Sequence, residues 1–137
     1  MKHLQGRARE DSRGAVAVEF ALVVPFLLLL VAGIIEFSNS MGVQIAVSQA
    51  AREAARTYAV TNDWNKATTA GTAGAPSLSG PISFSKDISC APNSTVHVTA
   101  QYTANSLTGF ALNVSGSSVS FAGTFTRTGV GAMRCGG

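Results

Sequence analysis

One acidic residue, Glu19, lies inside a segment that otherwise has no charge. The apolar run Phe20–Ile35 follows it directly, and the four residues before it are equally apolar. A carboxylate in a lipid-facing helix costs about 2.5–3.5 kcal/mol at the bilayer centre and less near its edge, so it usually has a partner or a function. Two interpretations stay open: Glu19 forms an ion pair with a cation, or it lies at the membrane edge and reaches the headgroups.

The apolar segment is long enough to cross a membrane. Ala15–Ile35 contains 21 residues, which form about 31 Å of α-helix against a hydrocarbon core of about 30 Å. Pro25 disturbs helices of soluble proteins but is tolerated in membrane helices. A cleaved secretory signal is the alternative, since a basic start and an apolar run are typical of one. The run is long for a signal, however, and Val31-Ala32-Gly33 is followed by more apolar residues instead of a cleavage site.

The basic residues give this segment an orientation. Charged residues are only 12% of the chain, and the net charge of +3 comes mainly from the leader. The first basic residue after the segment is Arg52, whereas four precede it: Lys2, Arg7, Arg9 and Arg13. By the positive-inside rule we expect a cytoplasmic N-terminus and residues 37–137 outside. No basic patch suited to nucleic acid remains beyond the leader.

Two cysteines, Cys90 and Cys135, follow the membrane segment. No histidine cluster accompanies them, which argues against a zinc site. Outside the cytoplasm they can form a disulfide, and closing a loop of about 45 residues would stabilise the fold by roughly 3–4 kcal/mol in the chain-entropy model. Two free thiols are the alternative. The predicted orientation favours the disulfide.

Beyond the membrane the helical pattern continues and then ends. Apolar residues at helical spacing between Met41 and Val60 predict one helix from Ala15 to about Ala59, with a stripe of small side chains. Another helix could pack closely on this stripe, but we expect at least half of it to cover the C-terminal part of the chain. Residues 61–81, rich in Thr, Ala, Gly, Ser and Pro, predict a loop.

The remainder of the chain reads as strands. Alternation predicts Ile82–Ile88, Thr95–Thr103 and Ser117–Arg127, with Ser106–Leu112 a short loop or helical turn. The predicted fold class is α+β: a long N-terminal helix, transmembrane in its first half, and a small C-terminal antiparallel β-sheet. The predicted divisions are a leader (1–14), a transmembrane helix (15–35), an amphipathic helix (36–60), a loop (61–81) and a β-rich domain (82–137).

The residues around Glu19 resemble a known processing site. A basic leader ends in Arg13-Gly14, and the apolar helix that follows has Glu as its fifth residue and Phe as its sixth. This arrangement resembles the site at which prepilin peptidase cuts type IV pilins. The run RGAVAVEFALVVPFLLLLVAGIIEF and the string SQAAREAAR at residues 48–56 are similar to the TadE-like family of minor pilins or pseudopilins of tight-adherence (Flp) pili. The closing VGAMR at residues 130–134 is a weaker similarity.

The resemblance implies a role for each residue of this site. Gly14 and Ala15 would flank the cleaved bond, and Glu19 and Phe20 would serve assembly, with Glu19 paired to the N-terminal amine of a neighbouring subunit. It implies a pilin-like fold in the bacterial inner membrane or in a pilus. The implied partners are prepilin peptidase, other pilins, pilus assembly platform proteins and membrane lipid, with no cofactor, metal, nucleic acid or small-molecule substrate.

Three functions compete at this point. The first is a minor pilin or pseudopilin, a structural or assembly-priming subunit. The second is a single-pass envelope scaffold that never enters a filament, and the third is a secreted enzyme or binding module behind a conventional signal. The histidines, His3 and His97, belong to no recognisable catalytic set, and the sequence contains no phosphate-binding loop. We therefore expect a protein that is not an enzyme.

Overall fold

A computed structural model describes residues 7–109, 111–114, 117–120 and 122–136 of the chain. Helix α1 (Arg7–Thr61) has 55 residues and is followed by a short helix and a small antiparallel sheet. The predicted α+β class is thereby confirmed. The chain divides after Ile35 into two compact units.

The first unit is the apolar part of α1. The helix is long and apolar enough to cross a membrane, and most of its large side chains between Val16 and Ile35 are exposed. Pro25 lies within the helix without ending it. These features indicate a membrane anchor.

The start of α1 differs from the prediction. The helix begins at Arg7, not at Ala15, because no proline interrupts the charged residues that precede Gly14 and most of them are good helix formers. Residues 1–6 of the predicted leader lie outside the described residues.

In the second unit, α1 buries its small side chains against the sheet. The alanine stripe is fully or almost fully buried and consists of Ala46, Ala50, Ala51, Ala54 and Ala55. It packs with the inward side chains of the central strand, among them Val96, Val98 and Ala100. The expectation that at least half of the stripe covers the chain's own sheet is confirmed, and no part of the stripe remains for another helix.

The sheet has three strands and is accompanied by a separate hairpin. In chain order the strands are β1 (Ser83–Lys86), β2 (Thr95–Asn105), β3 (Ala111–Val114), β4 (Ser117–Ser120) and β5 (Thr124–Arg134). The sheet order is β1-β2-β5, all antiparallel, and β3 pairs with β4. Alternation correctly predicted β2, whose alternate residues are buried.

The prediction for the C-terminal strands is wrong in two places. A single strand over Ser117–Arg127 does not form, because the chain bends at Gly123, whose φ of 140° belongs to a region that other residues rarely adopt. β5 then continues to Arg134. The loop or turn predicted for Ser106–Leu112 ends early, since β3 begins at Ala111.

Two glycines let β5 approach α1 closely. A Cβ atom added at Gly129 would lie 2.7 Å from the Cα of Ser48, and one added at Gly131 would overlap the backbone of Ala51. A side chain at either position would therefore force the strand away from the helix. Polar contacts fix the same edge: the Gln44 amide donates to the Thr128 carbonyl at 2.8 Å.

The predicted loop over residues 61–81 contains a helix, α2 (Trp64–Ala73). Asn62 adopts a positive φ of 52° and ends α1. Asp63 then caps α2, because its carboxylate accepts hydrogen bonds from the backbone N–H groups of Asn65 at 3.0 Å and Lys66 at 3.2 Å. The cap offsets the weak helix propensity of the three threonines and one glycine within α2.

Candidate functional site

The predicted processing site lies within a regular helix. Gly14 and Ala15 are exposed residues of α1. Apart from its chain neighbours and the backbone of its own helix turn, no described atom lies within 4 Å of the position that a Cβ would take at Gly14. Packing in the described part of the chain therefore does not explain the glycine. Because glycine costs about 1 kcal/mol relative to alanine inside a helix, α1 unwinds more readily here than at a neighbouring alanine.

Glu19 and Phe20 lie on one exposed face of α1. With Val16 and Val23 they line a shallow depression on the helix surface, as their spacing of three and four residues requires. No ion pair joins Glu19 to any residue whose side chain the structure describes. Ala15 lies one turn earlier, about 6 Å along the helix axis. The structure thus places Gly14, Ala15, Glu19 and Phe20 on consecutive turns of one helix.

The two cysteines are joined. Cys90 and Cys135 form a disulfide with their Cα atoms 5.5 Å apart. Cys135 is buried, and its N–H donates to the Ser94 carbonyl at 2.8 Å. The bond fastens the end of β5 to the segment between β1 and β2, and the predicted disulfide is part of the fold.

A third feature, Glu36, was not predicted as a site. One carboxylate oxygen, Oε1, accepts hydrogen bonds from the Ser106 hydroxyl at 2.7 Å and from both the hydroxyl and the backbone N–H of Thr108 at 2.6 Å. These donors, led by the Thr108 hydroxyl, lower the pKa of Glu36 from 4.5 to about 2. The sequence gives no local signal for this contact, because the partners of Glu36 are 70 residues or more away along the chain.

Two polar clusters of the second unit serve the fold. Lys86 donates to the Tyr58 hydroxyl at 2.5 Å and lies over the Tyr58 ring, which lowers the pKa of Tyr58. Asp87 contacts the His97 ring at 2.7 Å and accepts the backbone N–H of His97 at 2.8 Å. Each cluster links neighbouring elements. Within the described residues, no group of three or more His, Cys, Asp or Glu side chains is placed to hold a metal ion.

Comparison with known proteins finds a family match in the N-terminal half of the chain. Residues 14–56 match the family model described as TadE-like protein. No curated protein and no solved structure matches the chain. The resemblance seen in the sequence is thus confirmed for the anchor and the first part of the helix beyond it, while the sheet lies outside the match. TadE-like proteins are a structural, pilus-associated family, and the match supports an association with tight-adherence pili.

Proposed function

Because residues 14–56 are TadE-like, we propose that this protein is a minor pilin or pseudopilin, a structural or assembly-priming subunit of a tight-adherence pilus. The observation that carries the proposal is the position of the match, which begins at Gly14, the residue after which the sequence pattern predicts cleavage. Prepilin peptidase would remove the leader on the cytoplasmic side. The membrane helix would then stay with the mature subunit, whose second unit would lie outside.

Gly14 supports the cleavage step. A peptidase must bind an extended backbone, so α1 has to unwind around the bond between Gly14 and Ala15. A glycine that no described neighbour requires is the residue at which this unwinding costs least. Cleavage would leave a new ammonium group on Ala15.

Glu19 supports the assembly step. It has no ion-pair partner among the described side chains, although it lies in an apolar segment where an uncompensated carboxylate is costly. The Ala15 ammonium of a neighbouring subunit would compensate this charge, because opposite charges attract far more strongly in an apolar groove than in water. Phe20 would pack beside the pair. Other pilins and the assembly platform are the partners of this step.

A membrane-anchored scaffold that keeps its leader is the second candidate. The continuity of α1 from Arg7 through Gly14 favours it, since such a chain needs no processing to complete its helix. The two functions differ in whether the leader is removed and in whether the protein enters filaments.

Two glycine variants test the processing step. Gly14→Val should block leader removal, because the β-branched side chain hinders entry into a peptidase cleft. Gly33→Val is the matched control, as Gly33 also lies in α1 with open space around its Cβ position. In cells that contain the peptidase, loss of the leader is detected as a shift in the electrophoretic mobility of the protein. Equal processing of both variants, or of neither, would contradict the proposal.

A carboxylate variant tests the assembly step. Glu19→Gln should be processed normally but should be lost from sheared pilus fractions, because its charge no longer matches the ammonium group. Glu53→Gln, which removes a carboxylate from the second unit, should behave as wild type. Normal recovery of Glu19→Gln in pili would refute the ion pair.

A further inference from the structure

The second unit begins with a contact that holds one loop at Glu36. Glu36 is the first residue after the apolar segment that ends at Ile35. Its carboxylate is bonded to Ser106 and Thr108 at 2.6–2.7 Å. The loop Ser106–Gly109, here called the 106–109 loop, is therefore held beside the first residue outside the span.

The loop is supported from both ends. The Ser106 N–H donates to the Gly123 carbonyl at 2.9 Å, where β5 is about to begin. The Gly109 N–H donates to the Ser106 hydroxyl at 3.3 Å. These bonds and those to Glu36 hold the loop as a turn at a defined height on α1.

The headgroup region of a bilayer includes the first residues of α1 beyond the apolar segment. The hydrocarbon core is about 30 Å thick and the whole bilayer about 40–45 Å, which leaves roughly 5–7 Å of headgroup region on each side. Glu36 directly follows Ile35 and is about 1.5 Å further along the helix, within this layer. Ser106 and Thr108 lie within hydrogen-bond distance of its carboxylate. Residues within the next turn of α1, up to about Asn39, lie in the same layer at about 1.5 Å of rise per residue.

Two large apolar side chains close to Glu36 in the chain or in its hydrogen-bonded loop are exposed. Leu107, at the tip of the loop, is 66% exposed, and Phe37, directly after Glu36, is 68% exposed. The 106–109 loop has no charged residue. Phe37 is the second residue after the apolar segment, and Leu107 lies between the two loop residues that hydrogen-bond to Glu36.

We propose that the 106–109 loop and Phe37 contact the membrane, with Leu107 inserted among the lipids at the outer boundary of the span. Glu36 is a positioning residue for this contact, since it holds the loop through three hydrogen bonds. These bonds also satisfy its carboxylate, so a charge at the membrane boundary is not left without donors. The occupant of this surface is lipid, and the inference rests on the membrane anchor alone, not on the proposed pilus role.

Fluorescence of the full-length protein in vesicles tests the contact. Leu107→Cys is labelled with the environment-sensitive dye NBD, with the Cys90–Cys135 disulfide kept intact, and the protein is reconstituted into phosphatidylethanolamine–phosphatidylglycerol vesicles. The matched control is Val60→Cys. Val60 is 71% exposed and lies 24 residues beyond Glu36 on the same helix, about 36 Å away along its axis.

The expected result is a blue-shifted emission at position 107 that lipids with a nitroxide near the headgroup quench, and an unquenched emission at position 60. Adding Glu36→Gln should reduce the quenching at position 107. Equal quenching at both positions, in protein that floats with the vesicles, would overturn the inference. A blue shift that nitroxide lipids do not quench and that grows with protein concentration would assign the surface to a second copy and would also overturn it. Failure to float would refute the membrane anchor itself, and the lipid contact with it.

Discussion

The close approach of β5 to α1 makes Gly131 the most sensitive position in the second unit. In a Gly131→Ala variant the new methyl group would overlap the backbone of Ala51 and lie 2.7 Å from the Cα of Arg52. These are backbone atoms of a helix, so no side-chain rotation can make room. The strand has to move away from the helix, and the packing of the alanine stripe against the sheet loosens.

Such overpacking typically costs about 1–3 kcal/mol. For a folded unit of about 100 residues, a loss of about 2 kcal/mol lowers Tm by roughly 8–16 °C. The matched control is Gly42→Ala on α1, where no atom lies within 4 Å of the added Cβ. That variant should be more stable than wild type by about 0.5–1 kcal/mol, because alanine is the better helix former.

Trp64 is the only tryptophan in the chain and packs edge-on against Tyr58 in the second unit, with ring centroids 5.5 Å apart. Its fluorescence therefore reports the unfolding of that unit in detergent-solubilised protein with the disulfide intact. We expect Gly131→Ala below wild type and Gly42→Ala above it. If Gly131→Ala has the same Tm as wild type, β5 does not approach α1 as closely as described.

Three further predictions concern the same unit. Lowering the pH from about 4.5 to about 2 should remove the stabilising contribution of Glu36, because its pKa is about 2 in the folded protein against an ordinary 4.5; the contribution is complete above pH 4.5 and is lost as the pH falls toward 2. The difference in unfolding free energy between wild type and Glu36→Gln, measured by urea titration, should therefore shrink over that range. A constant difference would refute the hydrogen bonds to Ser106 and Thr108. The double substitution of Cys90 and Cys135 by serine should lower the free energy of unfolding by about 4 kcal/mol, since the disulfide closes a loop with a sequence separation of 45 residues. Unchanged stability under non-reducing conditions would contradict the disulfide. Asp63→Ala should cost about 1 kcal/mol by removing the cap of α2, whereas Asp63→Asn, which keeps an acceptor, should cost less; equal losses would show that the cap does not depend on the side-chain oxygen.

The features that could be predicted from the sequence are those with a local signal. Strict alternation marked β2, and the spacing of alanines marked the helix that covers it. The change from a basic leader to an apolar helix at Gly14, together with the isolated Glu19, indicated the TadE-like resemblance. The family match over residues 14–56 confirms it. The disulfide followed from the predicted orientation of the chain.

The features that were missed depend on contacts between distant parts of the chain. The predicted strand ended at Arg127, whereas β5 continues through Gly129 and Gly131, which the close packing against α1 requires. The role of Glu36 depends on Ser106 and Thr108, which no spacing rule connects to it. α2 was missed for a different reason, because the composition of residues 61–81 is typical of a loop, whereas the cap at Asp63 supports a helix.

The most direct test of the proposed function is the mass of the mature N-terminus. Intact-protein and peptide mass spectrometry would be run on membranes from cells with and without prepilin peptidase. The proposal predicts a mature chain that begins at Ala15 when the peptidase is present and an uncleaved leader when it is absent. A chain that keeps its leader in both strains, or one that begins after about residue 33, would contradict it.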